Sequence, residues 1–322
     1  MPNPTILTRS VISKRIFRPF TEWEPILQAV KAISPKFCFD SVDVLSSFSK
    51  LRLLMNLCRG IDDLRQIHFH LTVINNTLVI SSEGRMIRHS IAEAAAIIAA
   101  RVRQGGDYRG HDFEHAFTTW PEGLEASGNH MRVLQYNLGN LNCAVTAGID
   151  ACFKTDADES DPPPSFQDID LPEGPTSTGH ILKRYGVMKQ YPSVEVKGHW
   201  KVHKTPWTAC QLWFNRAEFI AGGSILYRET DMIVRSIQVR KTDELRQEWE
   251  ELEENQHALR QLVTLLSQLR DIVKNTEYKH CYISRPLGDF SYPFTLDVHV
   301  VEDGTALAFE ADARKYWQND NQ

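Results

Sequence analysis

The sequence predicts an α/β, mixed α+β fold with a central mixed sheet flanked by helices, and three observations carry the prediction. Runs that alternate polar and apolar residues interleave with runs whose apolar residues recur at helical spacing, instead of falling into separate blocks. A chain of 322 residues with 42% hydrophobic content can bury one large core. Turn-forming Gly, Pro and Asn residues separate the runs, and no internal repeat is present.

Taken in order, residues 1–36 are interrupted by prolines and read as an N-terminal arm with one short helix at Glu24–Ile33. The rest, 37–322, reads as a single domain. "IHFHLTVINNTLVIS" (67–81) alternates around Asn75-Asn76 and predicts a hairpin or two successive strands. "HSIAEAAAIIAARVRQGG" follows, with Ser90 and Glu93 spaced as a capping box and Gly105-Gly106 as a stop, so it predicts a helix. "RVLQYNL" and "LNCAVTAGIDACF" predict two strands joined by a turn at "LGN". Residues 154–177 carry seven acids, one lysine and five prolines, a composition that cannot bury a core, and read as a loosely held loop inserted into the domain. Beyond it, "SVEVKGHWKVH" and "AEFIAGGSILYR" predict strands on either side of a helical "TPWTACQLWFNR". Trp249, Leu252, Leu259, Leu262, Val263, Leu266, Leu269 and Val273 predict one long amphipathic helix over 243–275. "HCYISR" and "FTLDVHVV" predict closing strands.

Charge and cysteine usage narrow the classes. A formal net charge of -5 gives no global attraction for nucleic acid, although a local basic groove stays compatible with it. The six cysteines form no C-x-x-C pair, which points to a reducing compartment. The first residues lack the apolar core of a signal peptide, and no run reaches the roughly 20 apolar residues of a membrane span. A cytoplasmic or nuclear protein that engages no membrane is the expectation.

The candidate chemistry lies in "YPSVEVKGHW" (191–200). A strand puts Glu195 and Lys197 on one face and Val194 and Val196 on the other. Asp150 ends an apolar strand expected near the centre of the sheet, and with Glu195 it offers two hard oxygen donors for Mg²⁺ or Mn²⁺. Lys197 beside them suits charge developing on a phosphate. The opposing reading is an E-x-K triplet on a solvated strand.

In this order, "GHDFEHAFTTW" (110–120), "GNHMRVLQYNLGNLNCAVTAGIDAC" (128–152), "SVEVKG" and "QLWFNRAEFIAG" (211–222) resemble a filamentous-fungal family related to the DXO-like decapping exoribonucleases, over roughly residues 37–315. The resemblance implies a PD-(D/E)xK nuclease-like fold and a metal-dependent hydrolase acting on RNA 5′ ends or nucleic-acid phosphodiesters. It assigns Asp150, Glu195, Lys197 and Gln211 to the catalytic set. At the first glutamate of the pattern stands His115, or Glu114 in a register shifted by one; His115 is taken as the substitute metal ligand beside Asp150 and Glu195. Gly148 replaces the glutamate of an E-x-D pair, and the upstream arginine is either Arg52 or Arg59. These departures keep a rival reading alongside the enzyme: a degenerate member that binds RNA or a protein partner through the same cleft.

Other motifs carry less. His199, His203 and Cys210 lack a fourth zinc ligand. Ser224 lacks a G-x-S-x-G elbow, and Gly222-Gly223 before it are expected to permit a bulge or a close backbone approach. Trp200, Trp207 and Trp213 near Lys197, Lys201 and Lys204 suit either base stacking beside phosphates or ordinary core packing.

Overall fold

The computed structural model describes residues 5–7, 23–61, 67–82, 113–114, 116–119, 130–153, 167–168, 184–185, 191–198, 205–228, 231–285, 295–301 and 314–317. Its strands are β1 (Thr5–Leu7), β2 (Val44–Ser47), β3 (His68–Ile74), β4 (Thr77–Ser82), β5 (His130–Leu138), β6 (Leu141–Ile149), β7 (Ala151–Cys152), β8 (Gln167–Asp168), β9 (Arg184–Tyr185), β10 (Ser193–Lys197), β11 (Phe219–Arg228), β12 (Asp231–Lys241), β13 (His280–Ser284) and β14 (Asp297–Val300). The helices are α1 (Glu24–Ile33), α2 (Phe48–Cys58), α3 (Pro206–Asn215), α4 (Asp243–Glu251) and α5 (Glu253–Lys274). The class is mixed α+β, with most strands divided over two mixed sheets. One sheet runs β14-β13-β3-β4-β2-β6-β5, the other β1-β12-β11-β10-β7, and β8 pairs with β9.

The expected hairpins form where turn residues allow them. Asn75 takes φ 51° between β3 and β4, a conformation that asparagine tolerates better than most residues. Gly139 takes φ 59° between β5 and β6, and a Cβ there would come within 3.3 Å of Val263 on α5. The bulge expected near Gly222-Gly223 falls just after them, where the β11–β12 register shifts between Ser224 and Ile225.

Packing follows from the strand alternation. One face of the seven-stranded sheet presents Leu71, Leu78, Cys143 and Val145 to Leu51, Leu54 and Met55 of α2, Phe214 of α3 and Leu262 and Leu266 of α5. The opposite face presents Leu45, Val79 and Ala144 to Trp23, Leu27, Phe39 and Trp317. Fully burying a large apolar side chain is worth about 1.5–3 kcal/mol, so these two layers hold the sheet rigid. At the far edge of the other sheet, β1 adds to β12 through Thr5–Leu7.

The single long helix expected over 243–275 is instead two. Leu252, with φ -66° and ψ 119°, leaves the helical region and begins α5. Asn255 stabilises the break by donating its side-chain N–H to the Trp249 carbonyl at 2.7 Å, which satisfies one of the orphan acceptors at the end of α4. Leu252, expected on the apolar stripe, is 50% exposed. The expected helix after Ser90, His115, most of the 154–177 insertion, His199, Trp200, Lys201, His203 and Lys204 lie outside the described residues.

Candidate active site at the junction of the two sheets

Asp150 sits where the chain leaves one sheet for the other. Up to Ile149 the backbone pairs with β5, and from Ala151 it pairs antiparallel with β10, matching Ala151 to Val194. The Asp150 Oδ2 accepts the backbone N–H of Val196 at 2.8 Å, so its carboxylate bridges the step between sheets. Arg132 on β5 ties the same junction from outside by donating to the Tyr191 carbonyl at 2.8 Å.

The i, i+2 geometry of β10 holds. Val194 and Val196 pack with Phe113, Ala221 and Val234, while Glu195 and Lys197 meet α3. Helix α3 starts after Thr205, whose hydroxyl oxygen accepts the Thr208 amide at 3.2 Å, with Pro206 in the first turn. This fixes Gln211 over the strand. Its amide N–H donates to Glu195 Oε1 at 2.6 Å, and its carbonyl accepts from Lys197 Nζ at 3.3 Å. Lys197 also donates to Glu195 Oε1, making one three-way cluster.

Electrostatics mark this cluster as under strain for negative charge. Glu195 is only 3% exposed, and burial pushes its carboxyl up to about 8; Lys197 pulls it down, while the nearby Asp150 carboxylate raises it again. Burial alone would lower the Lys197 pKa, but Glu195, Asp150 and Glu114 together raise it above its ordinary value. Glu114 therefore lies within electrostatic reach of Lys197, although spacing had left open whether Glu114 or His115 belongs here.

All four residues assigned to the catalytic set meet at the junction through these contacts. Gly148, two residues before Asp150, is exposed, and a Cβ added to it meets nothing within 4 Å. Among the described residues, no group of three or more His, Cys, Asp or Glu side chains is assembled as a cation cage. The donors that are present suit a hard cation: two carboxylates confront one another in a buried junction, opposed by a single ammonium. Arg52 lies inside the fold, 6% exposed, with its guanidinium 4.2 Å from the Trp207 ring centroid. Arg59, at the end of α2, pairs instead with Glu254 at 3.5 Å. Cys210 is buried and its thiol is pushed up to about 12, which makes it a poor zinc ligand in this setting. Trp213 is core, packed edge-on to Phe214 at 4.9 Å, whereas Trp207 is exposed, and no motif had separated the two.

The described chain is a two-sheet α+β body in which Asp150, Glu195, Lys197 and Gln211 meet where the sheets join. The chain belongs to the family described as domain of unknown function DUF8563, whose pattern matches residues 8–285. No curated protein matches it. Solved structures do: Candida albicans Rai1 in complex with pU5 and Mn²⁺, with TM-score 0.52 and 13% identity, covers 93% of this chain and 78% of its own. Scheffersomyces stipitis Rai1 with (3′-NADP)⁺ and calcium has TM-score 0.52 and 14% identity, covering 86% and 72%. Dxo1 from K. lactis in complex with manganese has TM-score 0.51 and 10% identity, covering 89% and 74%. The DXO-like fold expected from the sequence is thereby shown. No helix among the described residues is long and apolar enough to cross a membrane.

Proposed function

We propose that the junction is a divalent-cation site that hydrolyses phosphate esters at RNA 5′ ends or within nucleic-acid chains. The observation that carries this reading is the convergence of Asp150, Glu195, Lys197 and Gln211 at one point between the sheets. Rai1 bound to pU5 and Mn²⁺ shares the fold and supports the choice of ligand class.

Asp150 and Glu195 would hold Mg²⁺ or Mn²⁺, with Glu114 as the third carboxylate and His115 as the alternative. When bound, the cation supplies Lewis-acid polarisation of a phosphoryl oxygen. Lys197 has three N–H bonds; two are directed to Glu195 and Gln211, and the third is available to a phosphate oxygen as negative charge grows there. Gln211 orients Glu195 and Lys197 from opposite ends of its amide, so its role is positioning. Glu195 must release its proton at the carboxyl oxygen before it serves as a ligand.

One observation favours the second reading, a binding protein without catalysis: Gly148 supplies no carboxylate beside Asp150. Calorimetric titration of Mn²⁺, followed by incubation with 5′-triphosphate, capped and 5′-monophosphate RNA, separates the two. Binding of Mn²⁺ with turnover of any of the three supports the enzyme. RNA binding with neither metal uptake nor turnover supports the binder.

A further inference from the structure

We infer that Trp207 is a nucleobase-stacking platform at the entrance to the junction, so that the bound substrate is a single-stranded nucleic acid whose first bases are gripped by their faces. This rests on the proposed phosphate-ester site and specifies what is attached to the phosphate.

Trp207 and Gln211 are four residues apart on α3, which puts them on one face of the helix with Cβ atoms about 5–6 Å apart. Gln211 is bonded to both Glu195 and Lys197, so Trp207 stands one helical turn from the carboxylate cluster. It is also held from α2. Its ring stacks on Phe48 with centroids 5.6 Å apart and planes 14° from parallel, and the Arg52 guanidinium lies 4.2 Å from its centroid. Phe48 and Arg52 are themselves one turn apart on α2, so a single helix face supports the indole.

Despite these contacts Trp207 remains 44% exposed. A tryptophan carries on the order of 200 Å² of buriable surface, so this exposure leaves a large part of the indole open to a ligand. An indole already held by Phe48 and Arg52 loses little freedom when a base lands on its open surface.

The topology brings the platform to the right end of the fold. β2 runs parallel to β6, pairing Ser47 with Thr146, so the start of α2 lies at the same sheet end as Asp150. Indole stacking is tolerant of base identity because every base has a π-face, so the platform selects nucleic acid over other phosphate esters without selecting a sequence.

The test uses the full chain in EDTA, so that nothing is cleaved, and measures by fluorescence anisotropy the binding of 3′-labelled, 5′-phosphorylated pentaadenylate and of the same backbone made abasic. The wild type is expected to bind the base-bearing strand more tightly. Trp207→Ala should weaken that binding about tenfold, within the range for loss of one stacked base, and leave the abasic strand unchanged. Trp207→Phe should keep most of the preference, and Trp207→Leu, which preserves apolar cover over Phe48, should lose it. If the wild type binds both strands equally, or if Trp207→Ala weakens both alike, the platform is overturned while the phosphate-ester site stands. If the wild type binds neither strand, the platform is overturned, and the phosphate-ester site, whose cation EDTA removes, is judged separately by the Mn²⁺ titration and RNA turnover. The wild-type comparison is decisive even if the alanine variant does not fold.

Discussion

The Asp150 carboxylate accepts the backbone N–H of Val196 at 2.8 Å, so the residue at which the chain leaves one sheet satisfies a donor in β10 of the other. The bond gives Asp150 a structural load besides any role toward a cation. It also aims the carboxylate at the neighbouring Glu195 side, where its charge raises the Glu195 pKa.

Asp150→Ala should therefore destabilise the protein by about 1–3 kcal/mol, the cost of stranding a polar group that water reaches poorly. Asp150→Asn keeps an oxygen acceptor and should recover most of that loss while still removing the charge. Urea denaturation of the three proteins checks the order. Equal stability of the alanine and asparagine variants would show that the bond between the sheets contributes nothing.

Glu195 predicts an unusual pH dependence. Its folded pKa of about 8 lies above the ordinary 4.5, so the folded state holds a proton that the unfolded state releases. Its contribution to stability is fully present below about pH 4.5 and is lost as pH rises through 8. Glu195→Gln cannot titrate, so its stability relative to wild type should grow between pH 5 and pH 8.5 in EDTA. Thermal unfolding at the two pH values measures the difference. Mn²⁺ should reverse it by stabilising only the wild type at pH 8.5.

His280 works in the other direction. Burial, and then the nearby His70, lowers its pKa to about 4. The folded state resists protonation that the unfolded chain accepts from about pH 6.5 downward. Stability from a neutral His280 is thus present above pH 6.5 and lost as pH falls through 4. Replacing it with glutamine should flatten the decline in stability between pH 6.5 and pH 4, and chemical denaturation across that range reads the slope.

Much of this was legible in the sequence for identifiable reasons. β3–β4 and β5–β6 announce themselves through period-two alternation and turn residues, and β10 places Glu195 with Lys197 by strand geometry alone. The division into two sheets was not legible, because "TAGIDACF" reads as one apolar run and the change of partner happens at a single residue, Asp150. The break at Leu252 was hidden because leucine continues the helical apolar period, and what stabilises the end of α4 is the side chain of Asn255, three residues on. Helix α2 escaped notice for a different reason: its buried stripe includes Lys50 and Arg52, which a hydrophobic pattern scores as surface. Spacing also left His115 and Glu114 equivalent, since a one-residue shift changes no composition.

Thr205 tests the helix that carries Gln211 and Trp207. Its side chain caps α3 by accepting the Thr208 amide, and Thr205→Ala should cost about 1 kcal/mol, whereas Thr205→Ser retains the oxygen. If α3 positions the cluster, the alanine variant should also lose affinity for 5′-phosphorylated RNA under conditions in which it is fully folded. Unchanged binding would detach the helix from the site.

Gly148 is the sharpest test of whether the junction is short of a ligand. It precedes Asp150 by two residues, near the end of β6, so a side chain there stands beside the point where the chain leaves for the other sheet. A Cβ at this position meets nothing within 4 Å, so Gly148→Glu should change stability by no more than about 0.5 kcal/mol. The new carboxylate adds charge and an oxygen donor to a site that already holds Asp150 and Glu195, and tighter Mn²⁺ binding of about tenfold, or roughly 1.4 kcal/mol, is expected by calorimetry. Any cleavage of triphosphate, capped or monophosphate RNA should rise with it, and further with His115→Glu if that side chain faces the cation. Adding Lys197→Ala should abolish the gain in turnover but not the gain in Mn²⁺ binding, because the ammonium acts on charge that develops only during reaction. A Gly148→Glu protein that neither binds Mn²⁺ more tightly nor turns over any of the three RNAs would mark the junction as a binding surface.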